Sequence, residues 1–482
     1  MSAAGSVKSV SRESESQQHA PYPSFSSAWT RYIRGVISRE VSRSSRFSDS
    51  VWVVRDAHGE DPSGLFAGTK CYWLPDAAAI PDTSGDAEGA YAIILNGSLN
   101  NVDDIHGLLA GVRGKIGRRS RVLCIVFNSY LKPLYSFLAL CGLRKAPQPK
   151  TFITFGDLDS LSRATGFEVV RSRPSGFFPW RLLGLGDLIN KVLPAIPLLR
   201  WCALATVVTL RPVRSPPPQA ALSLSVVVPV RNEKGNLPAA FEGLSKLKAA
   251  GLPLEAIFVE GHSHDGSWEA LTELQERYSS ALAISLIKQD GLGKADAVRK
   301  GFANAKGDLL AILDADLTVA PESLTRFYEA YSSGLGDFIN GSRLVYPMER
   351  GAMAPLNFVG NLVFSKMLSA LLGVKLSDTL CGTKLFARRD YLRMERWREG
   401  FGNFDPFGDF EMLFPAAVLG MGIVNVPVHY RARTYGSSNI LRFRHGAQLL
   451  GMCWKGLFKV TMADTKPIAE ENEGRLPDRE RS

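Results

Sequence analysis

From residue 222 onward the chain alternates between two hydrophobic periods. LSLSVVVPVRNE (222–233) is a continuous β-branched run of the kind a strand buried on both faces needs. Leu237–Ala249 then reads as a helix, LEAIFVE (254–260) as a strand, Ser267–Tyr278 as a helix and AISLIKQ (283–289) as a strand. Residues 294–305 read as a helix and GDLLAILDAD (307–316) as the next strand. Such β–α alternation predicts an open parallel sheet covered by helices, with ligands at the carboxyl ends of its strands.

The earlier half shows the same periods less regularly. Residues 90–130 read as strand, acidic turn, helix and strand, 157–174 as helix and strand, and 202–212 as a further strand. RPVRSPPPQA (211–220) predicts an extended linker, because no strand or helix continues through three prolines. The expected organisation is a polar tail over 1–25, an α/β domain over 26–210, the linker, and a second α/β domain over 221–437. A helix over 438–462 and a polar tail over 463–482 follow.

Three segments bear on membranes. Residues 192–210 contain Pro194, Pro197 and Arg200, and residues 353–374 contain Asn357, Asn361 and Lys366; both are too interrupted to predict a span. In the second, Leu356, Val359, Val363, Met367, Ala370 and Leu371 recur at helical spacing. In 440–460 the apolar set is Ile440, Phe443, Ala447, Leu450, Trp454, Leu457 and Phe458, flanked by Arg442, Arg444, Lys455 and Lys459. That pattern fits a helix lying on an anionic membrane, or one packed on the protein's own core.

Composition narrows the class. With 45% apolar and 22% charged residues, the chain of 482 is neither disordered throughout, nor collagen-like, nor polytopic. The formal charge is +10, and residues 1–220 hold most of it, with 26 Lys and Arg against 17 Asp and Glu. The expectation is that the first half's basicity attaches it to an anionic membrane or partner. No zinc-finger spacing or RNA-recognition signature supports nucleic acid as a partner. Six dispersed cysteines without a C-x-x-C pair point to a reducing, cytoplasmic setting, peripheral on the membrane's cytoplasmic face at most.

Candidate chemistry falls at the predicted strand ends of the second half. Pro229-Val230-Arg231-Asn232-Glu233 follows the first strand, and Glu260-Gly261-His262-Ser263-His264-Asp265 the second. Gly293-Lys294 opens a helix, where a cation and free N–H groups suit a phosphate. Asp314-Ala315-Asp316 ends a strand; a turn there brings two carboxylates toward one cation such as Mg²⁺ or Mn²⁺. The alternative for the pair is a set of turn or helix-capping aspartates.

These four motifs, in order, resemble the inverting family-2 glycosyltransferases of the GT-A fold, especially the dolichol-phosphate mannose synthase-like branch, over about residues 222–435. The resemblance implies that Pro229, Glu233, Glu260 and Asp265 line a nucleotide pocket, and that Asp314 and Asp316 hold the metal on a nucleotide-diphosphate sugar. Arg231 stands where an aromatic residue is frequent, and Thr318 where some members carry a third metal ligand. Asn340-Gly341-Ser342-Arg343 looks like the family's strand-end motif. Asp378 with Cys381-Gly382-Thr383-Lys384 looks like its D-x-x-x-G segment, and 426–438 like the closing block, with Arg433 placed to meet phosphate charge. Lys294, Arg343 and Arg433 are then the useful cations, and Asp409 the general base for a hydroxyl acceptor, or else a helix cap. The acceptor implied is a polyprenyl phosphate or a growing cell-surface glycan.

Residues 26–210 resemble the C-terminal half of a class I S-adenosylmethionine-dependent methyltransferase, in the G-F-E-V-V piece (166–170). The expected glycine loop is replaced by Asp56-Ala57-His58-Gly59. The resemblance implies a shortened Rossmann-like domain that does not bind S-adenosylmethionine well. A working methyltransferase fused to the transferase, and a non-catalytic membrane or glycan adaptor, are the alternative functions.

Overall fold

The computed structural model describes residues 28–46, 48–54, 71–86, 89–140, 151–213, 222–399, 408–436, 442–458 and 460. The tails, most of the Pro-rich linker and the stretch 56–59 lie outside these residues, as do the side chains of 442–447.

Two mixed sheets organise the chain. The first has six strands: β1 (Ser50–Val54), β2 (Cys71–Leu74), β3 (Tyr91–Asn96), β4 (Arg121–Phe127), β5 (Phe167–Ser175) and β6 (Ala205–Pro212), in the order β2-β1-β3-β4-β6-β5. Only β6 runs against its neighbours β4 and β5. Helix α1 (Ala28–Ser45) covers one face; α2 (Ser98–Asn101), α3 (Ile105–Lys115), α4 (Lys132–Leu140), α5 (Phe155–Ala164) and α6 (Leu185–Val192) fill the connections. β6 continues through Arg211 and Pro212, so the expected linker begins as strand rather than free chain. Backbone pairing wins at those two residues because Arg211 and Pro212 sit opposite Glu168 and Phe167 on β5.

The second sheet comprises β7 (Leu224–Val230), β8 (Leu254–Glu260), β9 (Ala283–Lys288), β10 (Leu309–Ile312), β11 (Phe338–Ser342), β12 (Lys384–Ala387) and β13 (Ile423–Pro427), in the order β13-β11-β12-β10-β7-β8-β9. β12 is antiparallel to β10 and β11, and the other pairs are parallel. Val226 and Val228 of β7 join one core layer with α7 (Leu237–Ala249), α8 (Ser267–Tyr278) and α10 (Ser323–Ser332). Val227 joins the other with α9 (Lys294–Ala303), α11 (Pro355–Leu372), α12 (Arg388–Glu399), α13 (Asp409–Val418) and α14 (Arg442–Leu457). A strand feeding both layers must be apolar at every position, as its sequence is. Strand order reverses between β7 and β10, the crevice where such sheets bind ligands.

The two sheets are joined by arginines from the first half. Asp337 of the second half, 8% exposed, accepts a 2.8 Å bond from Arg121 Nη2 and lies 3.4 Å from both Arg118 Nε and Arg211 Nη1. Arg211, 1% exposed, also reaches the carbonyls of Gly334 and Leu335. Burial alone would raise the Asp337 carboxyl; the three guanidiniums outweigh it and hold it far below the usual carboxylate range. At a second contact Arg171 and Arg173 donate to the Leu372 and Leu371 carbonyls, and Ser172 N donates to Gly373 O at 2.8 Å. Cations thereby cap the C-terminus of α11 from another sheet. The basicity of the first half, expected to face a membrane, is in these positions turned inward instead, because buried carboxylates and helix-end carbonyls neutralise it.

The apolar stripe of α11 divides along its length. Leu356, Val359 and Val363 are exposed, whereas Met367 packs against the core and Leu371 is buried, together with Asn361, Ser365, Leu368 and Leu372. Asn361 Nδ2 donates to the buried Asp378, which fixes the polar side of the helix inward. By length and composition α11 is long and apolar enough to cross a membrane, yet its C-terminal half packs in the protein core.

Candidate active site

The loops beyond β7, β8 and β10 converge at the switch point. Three residues in them, Asn232 (φ 56°), His262 (φ 57°) and Leu317 (φ 52°), hold left-handed backbone that side chains disfavour. Each is fastened. Asn232 Oδ1 accepts from His264 N at 2.8 Å, and Ser263 Oγ accepts from Asn232 N at 3.0 Å. His262 Nε2 lies 3.0 Å from Gly291 O, which ties its loop to the segment before α9. Leu317 N donates to Asp314 O, closing the turn that brings Asp314 and Asp316 together.

Asp314 pairs with Lys294 and Asp316 with Arg433, the latter at 2.6 Å. Lys294 stands at the first turn of α9, whose N-cap Gly293 has no side chain to compete for the free N–H groups. Burial disfavours both charges of the Asp314–Lys294 pair. Their mutual attraction outweighs it, lowering the carboxyl and raising the ammonium. Gly382 lies against this pair, and a side chain there would collide with the Asp314 carboxylate and the Lys294 ammonium. Thr318 donates to Asp316 Oδ1 through N (3.1 Å) and Oγ1 (2.9 Å), so it orients that carboxylate.

Arg433 arrives on the segment 428–436, which lies across the site. Tyr430 bridges Val319, and Arg431 N donates to Thr318 O at 2.9 Å. Arg433 Nη1 is 3.6 Å from Glu233 Oε1, and Thr434 Oγ1 donates to Asn236 Oδ1. The Tyr435 ring covers Gly235, where a side chain would not fit, and its hydroxyl stands 3.5 Å from Asp265 Oδ2. Glu233 is pushed above the ordinary range by burial, against the pull of Asn236 and Arg433. Asp265 is lowered: burial opposes, but bonds from Ser267 and from Lys234 N prevail. Glu260 is buried and accepts from Ser263 N at 2.5 Å, so it shapes its own loop. Pro229 is half-buried in β7 and Arg231 exposed just beyond it.

One expected role changes, and one alternative falls away. Arg343, read as a phosphate-facing cation, is 9% exposed and held bidentate by Asp378 at 2.8 and 3.0 Å, with its guanidinium over the Tyr430 ring. It braces the closing segment, because a buried arginine beside a fully buried carboxylate satisfies that charge first. Asp409 is not a helix cap: α13 begins with it, Gly408 (φ 83°) is the cap, and Asp409 Oδ1 accepts from Lys384 Nζ at 2.5 Å. Lys384 belongs to a motif already singled out, but its pairing with Asp409 is what pattern reading missed. A lysine inside the buried strand K-L-F-A is itself the signal, since a fully buried ammonium requires a partner.

Among the described residues, no group of three His, Cys, Asp or Glu gathers to hold a metal. Asp314 and Asp316 supply oxygen donors alone, which fits Mg²⁺ or Mn²⁺ completed by phosphate oxygens and water. Lys294 and Arg433 occupy those oxygens in this structure, so a divalent cation would share or displace them. The arrangement belongs to a class: an α/β nucleotide-type sheet with one antiparallel strand and paired carboxylates at its switch point.

The comparisons agree with that class. Residues 225–393 match the model of Glycosyl transferase family 2, so the chain contains a domain of that family, in a mixed α/β fold. The low-salt glycan biosynthesis hexosyltransferase Agl6 of Haloferax volcanii is 30% identical over 227 residues, 47% of this chain and 52% of that protein. The dolichol-phosphate mannosyltransferase of Pyrococcus furiosus is 36% identical over 124 residues, 26% of this chain and 34% of that protein. The chain thus spans about half the length, or less, of these curated relatives. Among solved structures, glucosyl-3-phosphoglycerate synthase from Mycobacterium tuberculosis, in complex with Mn²⁺, uridine diphosphate and phosphoglyceric acid, superposes with a TM-score of 0.38. It is 18% identical, and the match covers 51% of this chain and 80% of that one.

Proposed function

We propose that the chain is an inverting, metal-dependent hexosyltransferase, moving a sugar from a nucleotide-diphosphate donor to a polyprenyl phosphate or a growing glycan. The single observation that carries this reading is the pairing of both D-x-D carboxylates with cations, Asp314 with Lys294 and Asp316 with Arg433, at the switch point. Glu233, Glu260 and Asp265 surround the nucleotide side of that pocket, with Pro229 and Arg231 at its strand end. Asp314 and Asp316 would hold Mg²⁺ or Mn²⁺, which supplies Lewis-acid stabilisation of a departing diphosphate. Lys294 and Arg433 add fixed positive charge beside it. Asp409, oriented by Lys384, is the general base for a hydroxyl acceptor; a phosphate acceptor arrives ionised and needs none. The relatives named for dolichol-phosphate and for glycan biosynthesis support a lipid-linked or glycan acceptor, met at the cytoplasmic face of a membrane. In this reading the first sheet is a shortened methyltransferase-type scaffold that binds S-adenosylmethionine poorly.

The test is release of uridine or guanosine diphosphate from a panel of sugar nucleotides, with polyprenyl phosphate and with and without Mn²⁺. Asp316→Ala is expected to reduce release on the order of a hundredfold or more. Equal release by variant and wild type would sink the reading.

A further inference from the structure

One helix of the first half is built inside out. In α6 the polar residues point into the protein: Asn190 Oδ1 accepts from Phe177 N and Phe178 N, and Asp187 accepts from Tyr32 Oη at 3.0 Å. Its Leu185 and Leu188 are instead more than half exposed. Just before it, Leu182 (φ 37°) and Leu183 (φ 53°) hold left-handed backbone at a loop tip beside Trp180, and all three side chains stand in solvent. Water gives no reason to strain two leucines outward.

The exposed apolar surface continues beyond α6. Residues 193–195 pack on α6, on 197–202 and on α11, and α11 packs on α14. Trp201 meets Tyr130 edge-on at 4.9 Å, extending the face toward α4, where Phe137 and Leu140 are exposed. On α11 and α14 the exposed set includes Val359, Val363, Leu450 and Trp454. Charge in these segments has one sign. Residues 128–140, 176–204, 353–373 and 442–458 contain eight Lys and Arg and a single carboxylate, Asp187, which accepts from Tyr32 and also pairs with Arg181 at 3.1 Å, leaving a clear cationic excess. Arg181 beside the tip is 78% exposed on its side chain.

We propose that this face, with the Trp180–Leu183 tip and the outward leucines of α6 at its centre, docks the protein on an anionic lipid bilayer. Leucines enter the acyl boundary, the exposed tryptophans lie at headgroup depth, and the surrounding cations meet lipid phosphate. The docking surface is therefore composite, with the first half supplying the tip and α6 and the transferase half supplying α11 and α14. The inference deepens the reading of a lipid-linked acceptor and rests on it only for purpose.

The test is flotation of the full chain with phosphatidylcholine vesicles and with vesicles enriched in phosphatidylglycerol. Binding is expected only to the anionic vesicles, weakening as salt rises. The double variant Leu182→Asp/Leu183→Asp, and separately Leu188→Asp, are expected to lower partitioning at least tenfold, roughly the worth of one buried leucine. Thermal melts of the variants show that they remain folded. Undiminished flotation of both variants overturns the proposal. So does a wild-type dimer that the substitutions convert to monomers without any lipid binding, which would make the face a contact between copies. Nucleotide release with a short-chain, water-soluble acceptor is measured alongside. Lost flotation with retained release leaves docking supported; flotation without transfer to any polyprenyl phosphate counts against the acceptor reading alone.

Discussion

Among the described residues, five that are not glycine hold left-handed backbone, and they fall in two places. Asn232, His262 and Leu317 lie in the site of the second sheet; Leu182 and Leu183 lie at a loop tip of the first. Each costs on the order of 1–2 kcal/mol in local conformation. In the site that cost is held by polar partners: Ser263 and His264 on Asn232, Gly291 on His262, Asp314 on Leu317. At the tip, a Gly184 N to Arg181 O bond closes the turn, but the leucine side chains themselves reach only solvent. Strain at the site closes the turns that bring carboxylates together, whereas strain at the tip aims hydrocarbon outward. Similar backbone irregularities are thus held by polar bonds in one place and left facing solvent in the other.

The comparison is broken most severely by separating the two halves. Asp337→Ala leaves Arg118, Arg121 and Arg211 facing one another without their carboxylate, and about 3–5 kcal/mol of stability is expected to disappear. Urea titration monitored by tryptophan fluorescence measures it, and a loss below 1 kcal/mol would show that the halves hold together by other means. Acid gives a smaller, graded version. The folded Asp337 carboxyl is held far below its unfolded value, so the latch is complete at neutral pH and weakens once pH falls below about 3.9. The stability gap between wild type and Asp337→Ala is expected to narrow as pH drops from about 6 to about 3. A gap unchanged over that range would contradict the assignment. The smallest effect concerns the tip. Leu183→Gly removes the left-handed penalty at some cost in chain entropy, so the soluble protein is expected to gain roughly 0.5–1 kcal/mol while vesicle binding weakens. A variant that is both less stable and equally lipid-bound would mean the tip is ordinary loop.

Much of the second sheet was legible because its information is local. Continuous β-branched runs and 3.6-residue periods gave β7 to β10 and the helices between them, and the motif loops follow directly from strand ends. The role of Arg343 and the partner of Asp409 were not legible, because Asp378 and Lys384 are 35 and 25 residues away on other elements. The surroundings of α11 were not legible for another reason. Periodicity reveals an apolar stripe but not its neighbours; here Met367 and Leu371 reach the core while Asn361 has a buried carboxylate to meet. Net charge was legible only in part, since a count of arginines carries no depth. Arg121 and Asp337 lie 216 residues apart, and nothing between them announces the pairing.

That separation has a consequence in time. Arg121 also donates to Gly420 O, 299 residues further on, and Asp337 accepts from Gly422 N. At about 5–20 residues per second, roughly 15–60 s pass between the emergence of the first latch arginine and that of its last partner. During that interval Arg118 and Arg121 of the nascent first half lack the carboxylate they meet in the folded protein, while Arg211 has only Glu168, and the leucine tip is displayed as well. A ribosome-bound chain of this kind is an adhesive cation before its second half is complete. An anionic membrane nearby would be the first surface able to satisfy both features at once.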